Sequence, residues 1–345
     1  GMNPAVHNVT AKHRKFAFEV SGKSYITING VNIFAATIDS DSSSSHLVIN
    51  HVNASYLTHS MVQWTGHAAL SSTGIALNGT SDLIENSRIN FSAGDGVYLG
   101  GSGSRVTNCI ISNTDYGGTD AAPIRVYASG CTIDHNTIAC AGQNGIVLRA
   151  SATQILNNII HDCGLQTTDC AGIYAIRQDG AGGAIAFNLI YNVVTGGFGG
   201  SGIQLDDYSS DYLIYRNVTW NVNDGMKITY VSKNDRIYNN TLGAIKFSIQ
   251  TNNKWDWSGT QVCNNIFTHT AQFGLNATCE NNLAPGTNAM FVNPSANQYQ
   301  LQSVSPAIDK GMQIGSYTTG YSGAAPDQGA YERGLPLFLS GASLT

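Results

Sequence analysis

The chain has few charged residues. Only 11% of its 345 residues are Asp, Glu, Lys or Arg, and the net charge is −5. A chain with so few cations and an acidic balance is not expected to bind nucleic acid through a basic patch. Proline is also scarce, with 7 residues, whereas glycine is frequent, with 38. The shortage of charged helix-forming residues and the glycine content together favour an all-β protein.

Long apolar runs and common metal-binding motifs are absent as well. Since no apolar run is long enough to span a bilayer, the sequence predicts no transmembrane helix and no membrane partner. The chain has 7 cysteines but no Cys-x-x-Cys pair, which argues against a zinc site. Two interpretations of the cysteines stay open: buried free thiols, or a small loop closed by a disulfide between Cys163 and Cys170.

A short motif recurs about every 22 to 30 residues along the chain. It consists of an aliphatic residue, one or more asparagines a few positions later, and another aliphatic residue. Its copies lie at 83–86, 106–110, 133–136, 155–159, 185–189, 214–218, 237–240 and 262–266. Such self-similarity is typical of a solenoid, in which each repeat buries its apolar side against the next repeat. The asparagines are expected to form tight bends and to hydrogen-bond between neighbouring coils.

A second pattern has the same period. A glycine or another small residue precedes a short segment in which apolar and polar residues alternate, at 97–99, 124–127, 146–149, 173–175, 203–206 and 226–229. This alternation predicts strands with one face in the core. Two strands per coil are evident and a third is inferred, so the sequence predicts a parallel β-helix.

With these two patterns, the chain resembles the pectin-lyase-like right-handed parallel β-helix family over roughly residues 20 to 285. The resemblance implies an all-β solenoid in a single domain. We expect an irregular N-terminal segment at 1–20, the β-helix at 21–285 and a capping segment at 286–345, which would cover the open end. Residues 56–72, with Trp64 and His67, are expected to form a longer excursion. The resemblance also implies a secreted, periplasmic or cell-surface protein.

One residue of each short strand should point outward, as should the residue two positions later. The first column of outward residues is then Tyr98, Arg125, Val147, Tyr174, Gln204 and Lys227. The second contains Tyr127, Arg149, Asp206 and Thr229, with Arg177 just beyond its strand and Lys246 near the edge. Because adjacent coils lie ~4.8 Å apart, these side chains would share one face.

An acidic polysaccharide would match this face. Arginine pairs well with the carboxylates of uronates, and tyrosine and tryptophan can stack on sugar rings. We therefore expect substrate binding by the outward tyrosines, Arg125, Gln204 and Lys246, and by Trp255 and Trp257 as a stacking platform. The alternative is that these side chains merely cover the surface of a monomer.

Asp206 and Asp207 form the tightest acidic pair on the predicted face. Three interpretations remain open. The pair could bind Ca²⁺, which prefers carboxylate oxygens. One of the two could act with a further acid, for which Asp179 is a candidate, in glycoside hydrolysis. The pair could also be part of a solvated turn, because Asp-Asp-Tyr-Ser-Ser has good turn composition.

Lys227 lies in the segment Asn-Asp-Gly-Met-Lys-Ile at 223–228. This segment is similar to Asn-x-Asn-Gly-Phe-Lys-Leu of one β-helix pectate lyase family, although the paired Asp of that family is missing before the preceding strand. The resemblance implies that Lys227 removes a proton beside a uronate carboxylate. Arg149 or Arg177 would neutralise that carboxylate, and Asp206 and Asp207 would hold Ca²⁺.

Three hypotheses follow from the sequence. The first is a polysaccharide lyase that acts by β-elimination, the second a glycoside hydrolase in the same groove, and the third a non-catalytic solenoid that binds carbohydrate.

Overall fold

The structure, a computed structural model, describes residues 3–6, 12–59 and 74–344. These ranges contain three long parallel sheets and no α-helix. Each complete coil contributes one strand to each sheet, so the inferred third strand exists and the predicted parallel β-helix is confirmed. Trp64 and His67 of the expected excursion lie outside the described residues. No described helix is long and apolar enough to cross a membrane.

We name the sheets A, B and C in the order in which each coil visits them. Sheet A consists of Phe16–Glu19, Thr37–Asp39, Ile75–Leu77, Val97–Leu99, Ile124–Val126, Ile146–Leu148, Asp169–Ile176, Gly199–Asp206, Asp224–Ile228, Phe247–Gln250 and Thr270–Ala271. Sheet B consists of Thr27–Asn29, Val48–Asn50, Leu83–Glu85, Arg105–Thr107, Thr132–Asp134, Gln154–Leu156, Ala184–Ala186, Leu213–Tyr215, Arg236–Tyr238, Gln261–Cys263 and Thr278–Glu280.

Sheet C consists of Asn32–Phe34, Asn53–Ser55, Arg88–Ser92, Ile110–Thr114, Thr137–Ala141, Ile159–Cys163, Leu189–Val193, Val218–Val222, Thr241–Leu242 and Ile266–Phe267. A small antiparallel sheet, Phe291–Asn293 with Gln298–Leu301, follows the last coil. Short 3-10 helices occupy Pro4–Val6, Pro294–Ala296 and Gly315–Thr318.

The core consists of aliphatic columns parallel to the helix axis. The central residue of each sheet B strand points inward, and register places Ile133, Ile155, Ile185 and Ile214 directly above one another. All four are 0% exposed. Burial of each such side chain contributes about 1.5–3 kcal/mol. This is why a period of one aliphatic residue per coil is sufficient to specify the solenoid.

Buried asparagines stack in a row at the turn between sheets B and C, as the sequence predicts. Asn188 shows the pattern. Its Oδ1 accepts bonds from the backbone N and Nδ2 of Asn158, both at 3.0 Å. Its Nδ2 donates to the carbonyl of Ile155 and to Oδ1 of Asn217, both at 2.9 Å. The row contains Asn136, Asn158, Asn188, Asn217, Asn240, Asn265 and Asn282.

The two end segments differ from the expectation. Sheet A already begins at Phe16, within the segment predicted to be irregular. The described C-terminal contacts lie along the flank of the solenoid. Asn264 Nδ2 donates to the carbonyl of Met312 at 2.8 Å, and much farther back along the coils the backbone N of Ser343 donates to Asn108 Oδ1 at 2.7 Å. The segment is therefore a strap across many coils, held by hydrogen bonds with asparagine side chains in the turns between sheets B and C.

All seven cysteines are unpaired. Cys163 and Cys170 are both buried, and burial raises the pKa of the Cys170 thiol to about 12. The free-thiol interpretation therefore describes these residues, and the disulfide between Cys163 and Cys170 is not formed.

Candidate functional site

The outer face of sheet A contains the first predicted column. Parallel register pairs Tyr98 with Arg125, then Val147, Tyr174, Gln204 and Lys227 in successive coils. Gln250 extends the column by one more coil. The prediction that these residues share one column is therefore confirmed.

The second column runs beside it at the ends of the same strands. Backbone N of Tyr127, Arg149 and Thr229 each donates to the sheet A strand of the preceding coil. Asp206 pairs with Ile176, a residue that the sequence analysis did not place in the column. The apolar Ile176 thus separates the cationic part of the column, at Arg149, from its acidic part, at Asp206.

Lys227 lies between two carboxyl groups. Its side chain is only 13% exposed, and Nζ lies 3.9 Å from Oδ1 of the exposed Asp169. Asp224, three residues before Lys227 in the same strand, is buried. Burial raises the pKa of Asp224 to about 6, and the charges of Lys227 and Lys246 oppose that rise. Asp169 was missed from the sequence because its strand, Asp169–Ile176, begins four residues before the predicted segment at 173–175.

Tyr174 and Asp206 form a hydrogen-bonded pair on this face. Tyr174 Oη donates to Asp206 Oδ2 at 2.7 Å. Oδ1 of Asp206 accepts from the hydroxyl of Thr229 and, at 3.1 Å, from the backbone N of Asp207. Burial and the contact with Asp206 raise the pKa of Tyr174 far above its usual range. Tyr174 is therefore held as a neutral hydroxyl in this site.

The predicted calcium ligands are already engaged by other groups. Both oxygens of Asp206 accept hydrogen bonds, as described above, and Asp207 Oδ2 lies 2.7 Å from Nη2 of Arg177. Residues 3–6, 12–59 and 74–344 contain no group of three or more His, Cys, Asp or Glu side chains that would hold a metal ion. These contacts occupy oxygens that calcium would need and therefore do not favour calcium at this place. Nothing tests calcium binding by Asp206 and Asp207 directly, so it stays a prediction.

Arg125 does not have the predicted role, although its column position is correct. Its side chain is 4% exposed, and Nε lies 3.1 Å from Oδ1 of the fully buried Asp95. Nη2 donates to the carbonyl of Asp120, which lies in the loop over the strand. Despite this partner, burial raises the pKa of Asp95 to about 6. A guanidinium enclosed in this way has no surface to offer a substrate, so the substrate-binding prediction for Arg125 is wrong.

The stacking platform also needs correction. Trp257 is 0% exposed and belongs to the core, so its predicted role as a sugar-stacking surface is wrong. Trp255 is half-buried, and its ring lies 4.9 Å from that of Tyr230. Tyr230 in turn stacks on Tyr208 at 5.3 Å. These two tyrosines were missed, although an aromatic residue shortly after the end of two successive sheet A strands was a readable signal.

The remaining predicted residues are spread along the face. Arg149 lies three coils from Lys227, or ~14 Å, and its guanidinium lies 5.8 Å from the ring centre of Tyr127. Arg177 is exposed at the edge. The structure therefore does not bring either arginine to Lys227.

Three further predicted residues have different surroundings. Gln204 is buried between Tyr174 and Lys227, and its Oε1 has no hydrogen-bond partner in the described parts of the chain. Lys246 is exposed at the edge of sheet A. Asp179 accepts a bond from the nearby backbone N of Ala181 and does not join Asp206.

Comparison with known proteins gives the family. Residues 73–296 match the model of the right-handed beta helix region. The chain belongs to this right-handed β-helix family. Its structure is similar to that of pectate lyase Pel9A, with 14% identity, a TM-score of 0.56, and coverage of 84% of this chain and 88% of Pel9A.

Other solved structures are less similar. The complex of XylC with xylose has 15% identity and a TM-score of 0.45, with 73% of this chain and 44% of XylC covered. The periplasmic alginate epimerase AlgG has 12% identity and a TM-score of 0.42, with 77% and 74% covered. No curated protein matches. At 14% identity the likeness to Pel9A shows the β-helical fold and leaves the reaction to be argued from the site.

Proposed function

We propose that this protein is a polysaccharide lyase that binds a uronate polymer along the outer face of sheet A. The observation that carries the proposal is the position of Lys227. It lies on an outward column in a segment similar to the base-bearing segment of a pectate lyase family, beside Gln204 and near the Tyr174–Asp206 pair. The fold also occurs in pectate lyase Pel9A, which agrees with this proposal.

β-Elimination needs a base beside the carbon that carries the carboxylate. In this proposal Lys227 is that base: its nitrogen takes the proton, the electrons of the C–H bond form the new double bond, and the leaving oxygen departs with the electrons of its bond and takes a proton from water. Asp169, whose Oδ1 lies 3.9 Å from Nζ, would pair with the resulting ammonium group, which then loses its proton to solvent. We assign to Lys246 the role of stabilising the negative charge that develops on the substrate carboxylate. The reason is that Lys246 and Lys227 both act on the charge of Asp224.

Other parts of the face would bind neighbouring sugars of the polymer. Arg149 and the tilted rings of Tyr98 and Tyr127, 5.5 Å apart, offer a guanidinium and aromatic surface some coils away from Lys227. Each coil advances the face by ~4.8 Å, so an extended polymer parallel to the helix axis would meet these groups in succession. This arrangement supports binding to a long acidic chain, and a polymer substrate fits a secreted or periplasmic monomer.

The hydrolase alternative receives less support from the contacts. A glycosidase needs one carboxylic acid that gives a proton to the leaving oxygen. Asp206 accepts bonds from two hydroxyls and one backbone N, so its oxygens are occupied as acceptors. Asp207 pairs with Arg177, and Asp179 is bonded within its own turn. Neither supplies the second carboxyl beside Asp206.

Cleavage assays with pectate and alginate test the proposal. We expect the chain to produce the ultraviolet absorbance of an unsaturated uronate, and Lys227→Ala to lower the rate at least ~100-fold, the usual contribution of a general base. Lys233→Ala is the matched control, because Lys233 is a half-exposed lysine paired with Asp256 at 2.9 Å, outside the face. It should retain full activity.

The other outcomes distinguish the hypotheses. New reducing ends without the chromophore would indicate a hydrolase, and binding without cleavage would indicate a non-catalytic solenoid. Loss of activity with a chelator, restored by added Ca²⁺, would support the predicted metal requirement. Full activity of a folded Lys227→Ala variant would refute the assignment of the base.

A further inference from the structure

A short row of aromatic rings borders the acidic end of the sheet A face. Tyr208, Tyr230 and Trp255 belong to three successive coils and follow the ends of their sheet A strands. The ring centres of Tyr208 and Tyr230 are 5.3 Å apart with planes inclined by 24°, and those of Tyr230 and Trp255 are 4.9 Å apart. The inner ring, Tyr230, thus has an aromatic neighbour on each side.

Tyr208 ends this row. Its residue is 60% exposed. Within the described ranges, Tyr230 is its only aromatic partner, and neither cation–π contact of the structure involves its ring. Tyr230 therefore supports one face of the Tyr208 ring, and the exposure of the residue leaves ring surface accessible to solvent. Because one face of the ring already packs on Tyr230, the Tyr208 side chain loses little conformational freedom when a ligand binds.

The preceding coil places a cation on Asp207, the residue before Tyr208. Arg177 donates its backbone N to the carbonyl of Asp206, and its guanidinium binds Asp207, the residue before Tyr208, through Nη2 at 2.7 Å. The Arg177 side chain is 74% exposed. An exposed ion pair of this kind is weak, so an incoming carboxylate can replace or share the partner of Arg177.

From this geometry we infer that Tyr208 and Arg177 form a subsite for one uronate unit. The apolar face of the sugar ring packs on Tyr208 and its carboxylate pairs with Arg177. The subsite continues into the candidate active site, because Asp206 lies next to Asp207 in the chain and is bonded to Tyr174. This inference rests on the proposed function, since it gives the polymer its path beyond Lys227.

Binding measurements in a Lys227→Ala background test the subsite without turnover. The probes are oligogalacturonate and a neutral xylo-oligosaccharide of equal length, titrated by calorimetry at low and high salt. We expect Tyr208→Ala to weaken oligogalacturonate binding about tenfold. Arg177→Ala should reduce the preference for the acidic over the neutral oligosaccharide, and should remove part of the salt dependence.

Tyr25→Ala is the matched control. Tyr25 is 77% exposed, stacks on His46 at 4.7 Å and has the same left-handed backbone, with φ of 58° against 68° at Tyr208, but it lies several coils away. It should bind both probes like the parent. Equal affinities for Tyr208→Ala and Tyr25→Ala, with melting temperatures unchanged, would overturn the subsite.

The two proposals fail in different assays. The first case is that the unsubstituted protein cleaves pectate or alginate by β-elimination while Tyr208→Ala binds oligogalacturonate normally. The subsite is then refuted and the lyase proposal stands. If Tyr208 and Arg177 are needed for binding but no unsaturated product forms, the lyase is refuted and the subsite stands. A preference for the neutral probe in the parent would refute the assignment to a uronate.

Discussion

Asp235 is a buried carboxyl group whose environment favours the protonated form. It is 0% exposed and precedes a sheet B strand. Oδ1 accepts the backbone N of Tyr212 at 2.9 Å, and Oδ2 lies 2.5 Å from the hydroxyl of Ser232. That hydroxyl also lies 2.6 Å from the carbonyl of Ser209. One hydroxyl proton cannot serve both acceptors, so a proton on Asp235 completes the network.

The size of the effect follows from the shift of its pKa. Burial raises the pKa of Asp235 to about 7, compared with about 3.9 in an unfolded chain. Between these values the folded protein binds more protons than the unfolded one, so stability falls as pH rises through this window. At pH 8 the ionisation of Asp235 lowers the free energy of unfolding by on the order of 4 kcal/mol, and at pH 4 the loss is close to zero.

Asp235→Asn should remove this cost. The amide keeps the shape, cannot ionise, and can donate to the hydroxyl of Ser232 in place of the acid proton. We expect the free energy of unfolding, measured with urea at pH 4, 6 and 8, to match the parent at pH 4 and to exceed it by several kcal/mol at pH 8.

Asp256→Asn provides a control of opposite sign. Hydrogen bonds from Ser258, Asn276 and Lys233 lower the pKa of the partly exposed Asp256, so its substitution should destabilise the protein at neutral pH and matter less in acid. If Asp235→Asn instead destabilises the protein equally at pH 4 and pH 8, Asp235 is an ionised acceptor and the reasoning fails.

Two further predictions concern the solenoid itself. Asn188→Ala removes four buried hydrogen bonds and should lower the free energy of unfolding by about 4 kcal/mol, at about 1 kcal/mol each. The exposed Asn221→Ala, which loses one bond, should cost only about 1 kcal/mol, and equal losses would contradict the role of the row. Phe338→Ala should release the C-terminal strap from Phe187, lowering the melting temperature by a few degrees with activity retained; unchanged melting would show that the strap contributes no stability.

The sequence was sufficient to predict the repeating part of the molecule. Each coil has one inward aliphatic residue and one turn asparagine, and these residues form columns, as Ile155 and Asn158 show. Such columns can be predicted without knowing the paths of the loops. The outward column through Tyr174 and Lys227 followed from the same period, because side chains alternate along a strand.

Loop paths were beyond this reasoning. Arg125 was predicted correctly as a column member, but the loop that passes over it and supplies the carbonyl of Asp120 has no period. Trp257 lies in a turn that bends into the core, whereas Trp255 two residues earlier remains half-buried. Tyr208 was missed because its partner, Tyr230, belongs to the next coil, and only the fold brings the rings together.

Mass spectrometry of the products formed from a uronate polymer tests the central claim most directly. The parent chain and the Lys233→Ala variant should release unsaturated oligomers, each lighter by one water molecule than the corresponding hydrolysis product, and a folded Lys227→Ala variant should release almost none. Products with the hydrolytic mass, or unsaturated products formed undiminished by Lys227→Ala, would contradict elimination with Lys227 as the base.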